Sequence, residues 1–195
     1  MPGRDGDRMS SWSGTEVTAL VAILAVALAL RLWRLGDVPP GLHVDAAHNG
    51  VDALAILRGA RPVYLAGNNG REAMLSYLQA VTVGLWGPTP YALRLASALA
   101  GTAAVGIAYG LARGLPTARP RLAAAATAVL MAVSVWPLHF SRIGIRGILM
   151  PLLGGAFAWA LWRAAAAASA DKTTRGGPHP RPPLAPFRAS LGAAL

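Results

Sequence analysis

The sequence predicts an all-α, polytopic membrane protein with four transmembrane helices and two short membrane-surface helices in the first external loop. Three observations carry this. Hydrophobic residues make up 54% of the 195 and charged residues 13%, where an average soluble domain carries about 25% charge. Four apolar runs approach or reach the roughly 20 residues that cross a bilayer's hydrocarbon core. A polar, mixed-charge island, residues 41–73, lies between the first run and the rest, and it holds three of the eight acidic residues, Asp45, Asp52 and Glu72.

Residues 1–16 form a polar leader, expected to be disordered and cytoplasmic. It is not a cleavable signal, because it lacks a compact basic start and the apolar run behind it is long enough to span. The first span covers about residues 17–35, with Arg31, Trp33 and Arg34 at a membrane interface. Asp37, Pro39, Pro40 and Gly41 end it. The external loop then runs over 36–90. Within it, residues 46–57 place apolar side chains at 47, 51, 54, 55 and 57 opposite Asn49, Asp52 and Arg58. That helix is too short and too polar to span, and suits the membrane surface. Residues 59–70 are loop, turned at Gly67-Asn68-Asn69-Gly70.

Residues 73–86 form a second short apolar helix, closer to an interfacial or buried segment than to a span. Were it to span, the count would be five. The second span, about 91–112, has Ala96, Ala100, Ala104 and Ala108 four apart, a stripe suited to close packing in lipid. The third, about 122–138, closes at Trp136-Pro137. A polar link, HFSRIGIR at 139–146, leads to the fourth, about 147–168. Residues 169–195 read as a Pro/Arg-rich loop and the truncated start of a further span.

The formal charge of +10 is almost all arginine, with Lys172 the single lysine. The arginines sit at the ends of apolar runs, as orientation and lipid headgroups require. That scatter points away from nucleic acid, which calls for a gathered patch. With no cysteine, disulfides, thiolate zinc sites and cysteine nucleophiles are excluded. RGLPTARPR, residues 113–121, has three arginines and no acid. Placed in the cytoplasm with the N-terminus, it leaves the island and HFSRIGIR together on the outer face.

Chemistry is expected in the island. Asp45 opens the surface helix, where an aspartate is an ordinary N-cap and also a rigidly held carboxylate, fit for a general base or a metal ligand. His48 and Asn49 follow within a turn. Asp45 with His48 is a thin ligand set for a transition metal, whereas Mg or Mn bridging a phosphate needs fewer protein ligands. Arg71-Glu72 starts the second short helix and reads either as a surface pair or as an arginine placed for phosphate. Arg142 and Arg146 are four apart and share a face if helical. They read as snorkelling anchors or, with no acid beside them in sequence, as an anion site.

Taken together, the order of motifs resembles a known class. An Arg-flanked first span is followed by PPGL and Asp45, then by NGRE ahead of an apolar helix ending WGPTP, then ALRLASA, and finally WPLHFSRIGIR. This is similar to the N-terminal part of bacterial GT-C membrane glycosyltransferases, the family of protein O-mannosyltransferases and aminoarabinose transferases. The resemblance covers residues 31–163. It implies an inverting transfer of sugar from a polyprenyl-phosphate donor to an acceptor hydroxyl on the outer face of the bacterial plasma membrane. Asp45 matches the acid of the family's first external loop, as catalytic base or metal ligand, and Ala46 stands where a second acid is usual. His48, Asn49, Arg71, Glu72, Arg142 and Arg146 would bind substrate, with the two later arginines on the donor phosphate. The competing reading is a non-catalytic polytopic protein, either a transporter piece or a lipid-phosphate-binding subunit.

Overall fold

The computed structural model describes residues 12–67 and 69–175, with side chains described through residue 169. The expected disordered leader, apart from its last few residues, lies outside them, as do Asn68 of the predicted turn and the further span at the C-terminus. The chain divides into Met1–Ala160 and Leu161–Leu195, and the described part of the second unit is the helical stretch 161–175. Seven α-helices and one short hairpin are present among the described residues.

Helix α1, Gly14–Leu32, begins where the Ser13 side chain accepts the Glu16 backbone N–H at 3.3 Å, satisfying one of the donors every helix start leaves open. Helix α2, Val44–Leu57, is capped by His43, whose Nδ1 accepts the Asp45 N–H at 3.2 Å. Asp45, the expected N-cap, is therefore two positions past the actual cap, inside the first turn. The expected loop that follows contains an antiparallel hairpin, β1 (Tyr64–Leu65) and β2 (Arg71–Glu72), pairing Tyr64 with Glu72 and Leu65 with Arg71. Arg71 and Glu72 thus belong to a strand, and the next helix, α3, starts after them at Met74 and runs to Trp86.

Helix α4, Pro90–Arg113, is the centre of the first unit and packs against α1, α3, α5 and α6. Thr89 caps it and Pro90 opens it, a favoured start because proline's missing N–H is not needed there. The small-residue stripe is buried at Ala96, Ala100 and Ala104 and half-buried at Ala108. A matching stripe on α5 (Pro120–Val133), Ala124, Ala128 and Ala132, meets Ala27, Val105 and Tyr109 in one core. Gly101 marks the closest approach: an added methyl would collide with Ser141 and lie 3.2 Å from Arg31 Nε.

Residues 122–138 do not form one straight helix. The chain leaves α5 at Ser134 and resumes as α6, Val135–Ile143, bent by 50°. Pro137 explains the break, since it has no N–H for the Val133 carbonyl and its ring would strike it. HFSRI, expected in a polar link, is helical instead. Gly144 in the left-handed conformation (φ 78°, ψ 34°) stops α6. A 3-10 turn, Arg146–Ile148, leads into α7, Leu149–Arg175. Residues 169–175, expected as loop, continue that helix. No glycine or proline interrupts the chain there before Gly176.

Among the described residues, three helices are long and apolar enough to cross a membrane: Gly14–Leu32, Pro90–Arg113 and Arg146–Ser169, the last counted from its 3-10 turn. The bent pair α5–α6 would make a fourth if it is one span. This is compatible with a membrane protein. Large apolar side chains stand exposed along two of these helices, Val21, Val26 and Leu30 on α1, and Met150, Leu153 and Phe157 on α7.

Candidate functional site

Helix α2 presents Asp45 in its first turn, half-exposed, with His43 Nδ1 3.8 Å from its Oδ2. A carboxylate there is favoured by the positive end of the helix dipole. His48 is exposed one turn further on, whereas Asn49 is buried. The inner face of α2 is Ala46, Asn49, Gly50, Ala53 and Ile56. Of the predicted apolar stripe, Val51 and Leu57 point away from this face. Small residues won the inner face: Gly50 lies against Leu93, where an added methyl would be 3.1 Å from Cδ1. Of the three polar residues expected to be solvated, Asn49 is thus enclosed.

Strand alternation separates Arg71 from Glu72. Arg71 is buried, paired with Asp52 of α2 and donating to the Gly67 carbonyl at 2.9 Å. That removes it from the anion-binding set, because its charge is already matched. Glu72 points the other way and meets Arg146 at 3.3 Å, with the two side chains about half exposed. The acid missing from the neighbourhood of HFSRIGIR in sequence is therefore supplied from the island.

Arg142 and Arg146 do not share a face, since Gly144 ends the helix between them. Arg142 turns inward and donates to the carbonyls of Leu30 (2.7 Å), Arg31 (3.3 Å) and Val38 (2.9 Å). It caps the open carbonyls at the end of α1. Arg31 itself is fully buried rather than interfacial, donating to Ser141 Oγ and to the carbonyls of Ala27 and Ala132. Trp33 and Arg34 keep their expected exposure, Arg34 facing Asp37 at 3.7 Å.

The sequence reading missed the residue that shapes the entry to α2. Arg94, buried in the first turns of α4, donates to the carbonyls of Leu35 (2.9 Å), Gly36 (3.3 Å), Pro39 (2.9 Å) and Gly41. It holds the turn that delivers His43 and Asp45. Buried Gln79 of α3 donates to Leu93 O (2.9 Å) and Gly144 O (3.3 Å), tying three elements at one point. Gly144 in turn lies against Ala46, where an added methyl would be 3.6 Å from its Cβ. The first turn of α2 and the Arg142–Arg146 link are thus neighbours. An arginine inside an apolar helix run was the available signal for Arg94.

Arg146 and Glu72 line a groove of about 330 Å³ together with Met74, Gly147, Leu149, Met150 and Leu153. Apart from the ion pair, its lining side chains are apolar.

A second charged cluster was also missed. Glu16, buried in the first turn of α1, accepts from Arg113 Nε (2.6 Å) and Tyr109 OH (2.9 Å) and lies 3.3 Å from Arg121. Trp12 stacks on Tyr109 at 5.7 Å. The basic turn 113–121 is therefore partly neutralised from the N-terminal side.

Among the described residues, no three His, Asp or Glu side chains converge to hold a metal ion. Asp45 with His48 does not make a Mg or Mn site by itself. The chain matches no family model, no curated protein and no solved structure.

Proposed function

We propose that the chain carries the donor- and base-bearing part of a membrane glycosyltransferase that uses a lipid-phosphate sugar, as its motif order suggests. In this reading α1, α4, α7 and the bent pair α5–α6 are the four spans, and α2 and α3 lie along the outer membrane surface. The N-terminus is cytoplasmic, and the membrane is a bacterial plasma membrane. The outward Val44, Val51 and Leu57 of α2 then face lipid, and the basic turn 113–121 obeys the positive-inside rule.

One juxtaposition carries the reading. Ala46, the residue after Asp45 in the first turn of α2, lies against Gly144 of the link that leads to Arg146, and Arg146 lines an apolar groove. Asp45 takes the proton of the acceptor hydroxyl, whose oxygen bonds to the anomeric carbon of the sugar. The bond from that carbon to the phosphate oxygen breaks, and the electron pair leaves on the lipid phosphate, which Arg146 stabilises. The apolar tail of that lipid occupies the groove. Of the arginines first assigned to the phosphate, Arg146 alone retains the role, because Arg71 and Arg142 are engaged inside the fold. His48, exposed one turn from Asp45, is the remaining contact for the acceptor. Asn49 acts only through packing.

The test is Asp45→Asn in membranes containing the protein, assayed for sugar transfer from polyprenyl-phosphate donors. Transfer should disappear while the amount of protein in the membrane stays level. Undiminished transfer would remove Asp45 from the chemistry. A second reading, a subunit that binds lipid phosphate without catalysis, draws on the same groove and needs no base. It predicts that Asp45→Asn leaves lipid-phosphate binding intact and that no transfer occurs even in the unaltered protein.

A further inference from the structure

The groove is lined by a cation that already has a partner. Arg146 and Glu72 are 3.3 Å apart, and both side chains are about half exposed. Their backbones come from different parts of the first unit, the 3-10 turn before α7 and strand β2. The other side of β2 is anchored, since Arg71 is buried against Asp52. Glu72 is thus offered to Arg146 by a strand that cannot easily follow it, so any exchange of partners falls to the Arg146 side chain. Met74, Leu149, Met150 and Leu153 line the same groove with apolar side chains.

We infer that Glu72 is an electrostatic latch on the groove, holding Arg146 until the phosphate of a single-chain lipid displaces it. The inference rests on the lipid-phosphate reading of the groove and adds a competitor to it. The chemistry selects the occupant: an apolar trough whose lining includes one cation matches a long chain ending in an anion, and Glu72 repels that anion until Arg146 turns to it. An exposed ion pair is a weak one, which is what an exchangeable latch requires. A bare phosphate would gain the charge contact but leave the apolar walls wet.

The experiment measures equilibrium binding of radiolabelled dodecyl phosphate to the full chain in phosphatidylcholine nanodiscs. Glu72→Gln should tighten binding about fivefold, the size of one exposed ion pair removed from competition. Arg146→Gln should weaken it at least about tenfold. Adding Glu72→Gln to Arg146→Gln should then recover little, because the latch works through the arginine. Inorganic phosphate should not displace the labelled lipid at equal concentration. If Glu72→Gln leaves binding unchanged or weakens it while Arg146→Gln still abolishes it, the latch is wrong and the groove reading stands. If Arg146→Gln binds like the unaltered protein, or inorganic phosphate competes fully, the groove reading itself fails.

Discussion

Arg142 and Arg146 are four residues apart in one short motif, yet the fold puts them to opposite uses. Arg142 is buried and spends its donors on carbonyls at the end of α1 and in the turn behind it. Arg146 is half-exposed, meets a carboxylate, and borders an apolar groove. The same contrast extends over the first unit. Arg31, Arg94 and Arg142 form an inner set whose partners include seven or more backbone carbonyls and one hydroxyl. Arg146 stands outside it. A guanidinium suits the inner role because five N–H donors on a rigid plane can satisfy several carbonyls at once, and it remains charged when buried. What separates an arginine engaged inside the fold from an exposed one here is whether unsatisfied carbonyls reach it first.

That contrast can be broken experimentally. The largest effect is expected at Arg94. Arg94→Ala uncovers the carbonyls of Leu35, Gly36, Pro39 and Gly41 and should lower stability by about 3 kcal/mol or more, since hydrogen bonds to a charged group contribute roughly 1.5–3 kcal/mol each. Thermal unfolding in detergent checks this, and an unfolding temperature equal to that of the unaltered protein would dissolve the inner set as a structural unit. Arg71→Ala should rank next, at about 2 kcal/mol, because it strands a largely buried Asp52 carboxylate. Adding Asp52→Asn should recover part of that loss, and a double-mutant cycle measures the coupling. The smallest stability change belongs to Arg146→Ala, under about 1 kcal/mol for an exposed pair, combined with the largest change in lipid-phosphate binding. A thermal shift as large as that of Arg94→Ala would place Arg146 with the inner set after all.

The Glu16 cluster sharpens the comparison from the other end of α1. There a buried carboxylate gathers Arg113, Arg121 and Tyr109, so the arginines are satisfied by charge instead of by carbonyls. Sequence position alone does not distinguish the two solutions. Glu16 is nearly a hundred residues from its arginines, and no local pattern connects them.

Apart from α6, half of which was read as a polar link, helix existence was legible, because apolar length and periodicity are local properties. Helix boundaries failed where a single residue decided them. Pro137 broke the third run a turn earlier than its own position suggests, and His43 displaced Asp45 as cap. The apolar stripe of α2 was legible, but not that its small residues face the fold. In a chain surrounded by lipid-grade surface, large apolar residues lose little by facing outward, and small ones win the interior by permitting close approach. Gly50 and Ala53 made that choice.

By itself, the sequence determined a mostly helical chain, apolar helices long enough to cross a membrane, and a polar island carrying Asp45 and Glu72. Those follow from residue type and spacing along one strand of chain. Only the tertiary structure decided which arginines are spent within the fold, that Glu72 reaches Arg146, and that the pair stands at an apolar groove. Each of these depends on contacts between segments dozens of residues apart, where competition among carbonyls, carboxylates and small-residue surfaces assigns partners that no local pattern records.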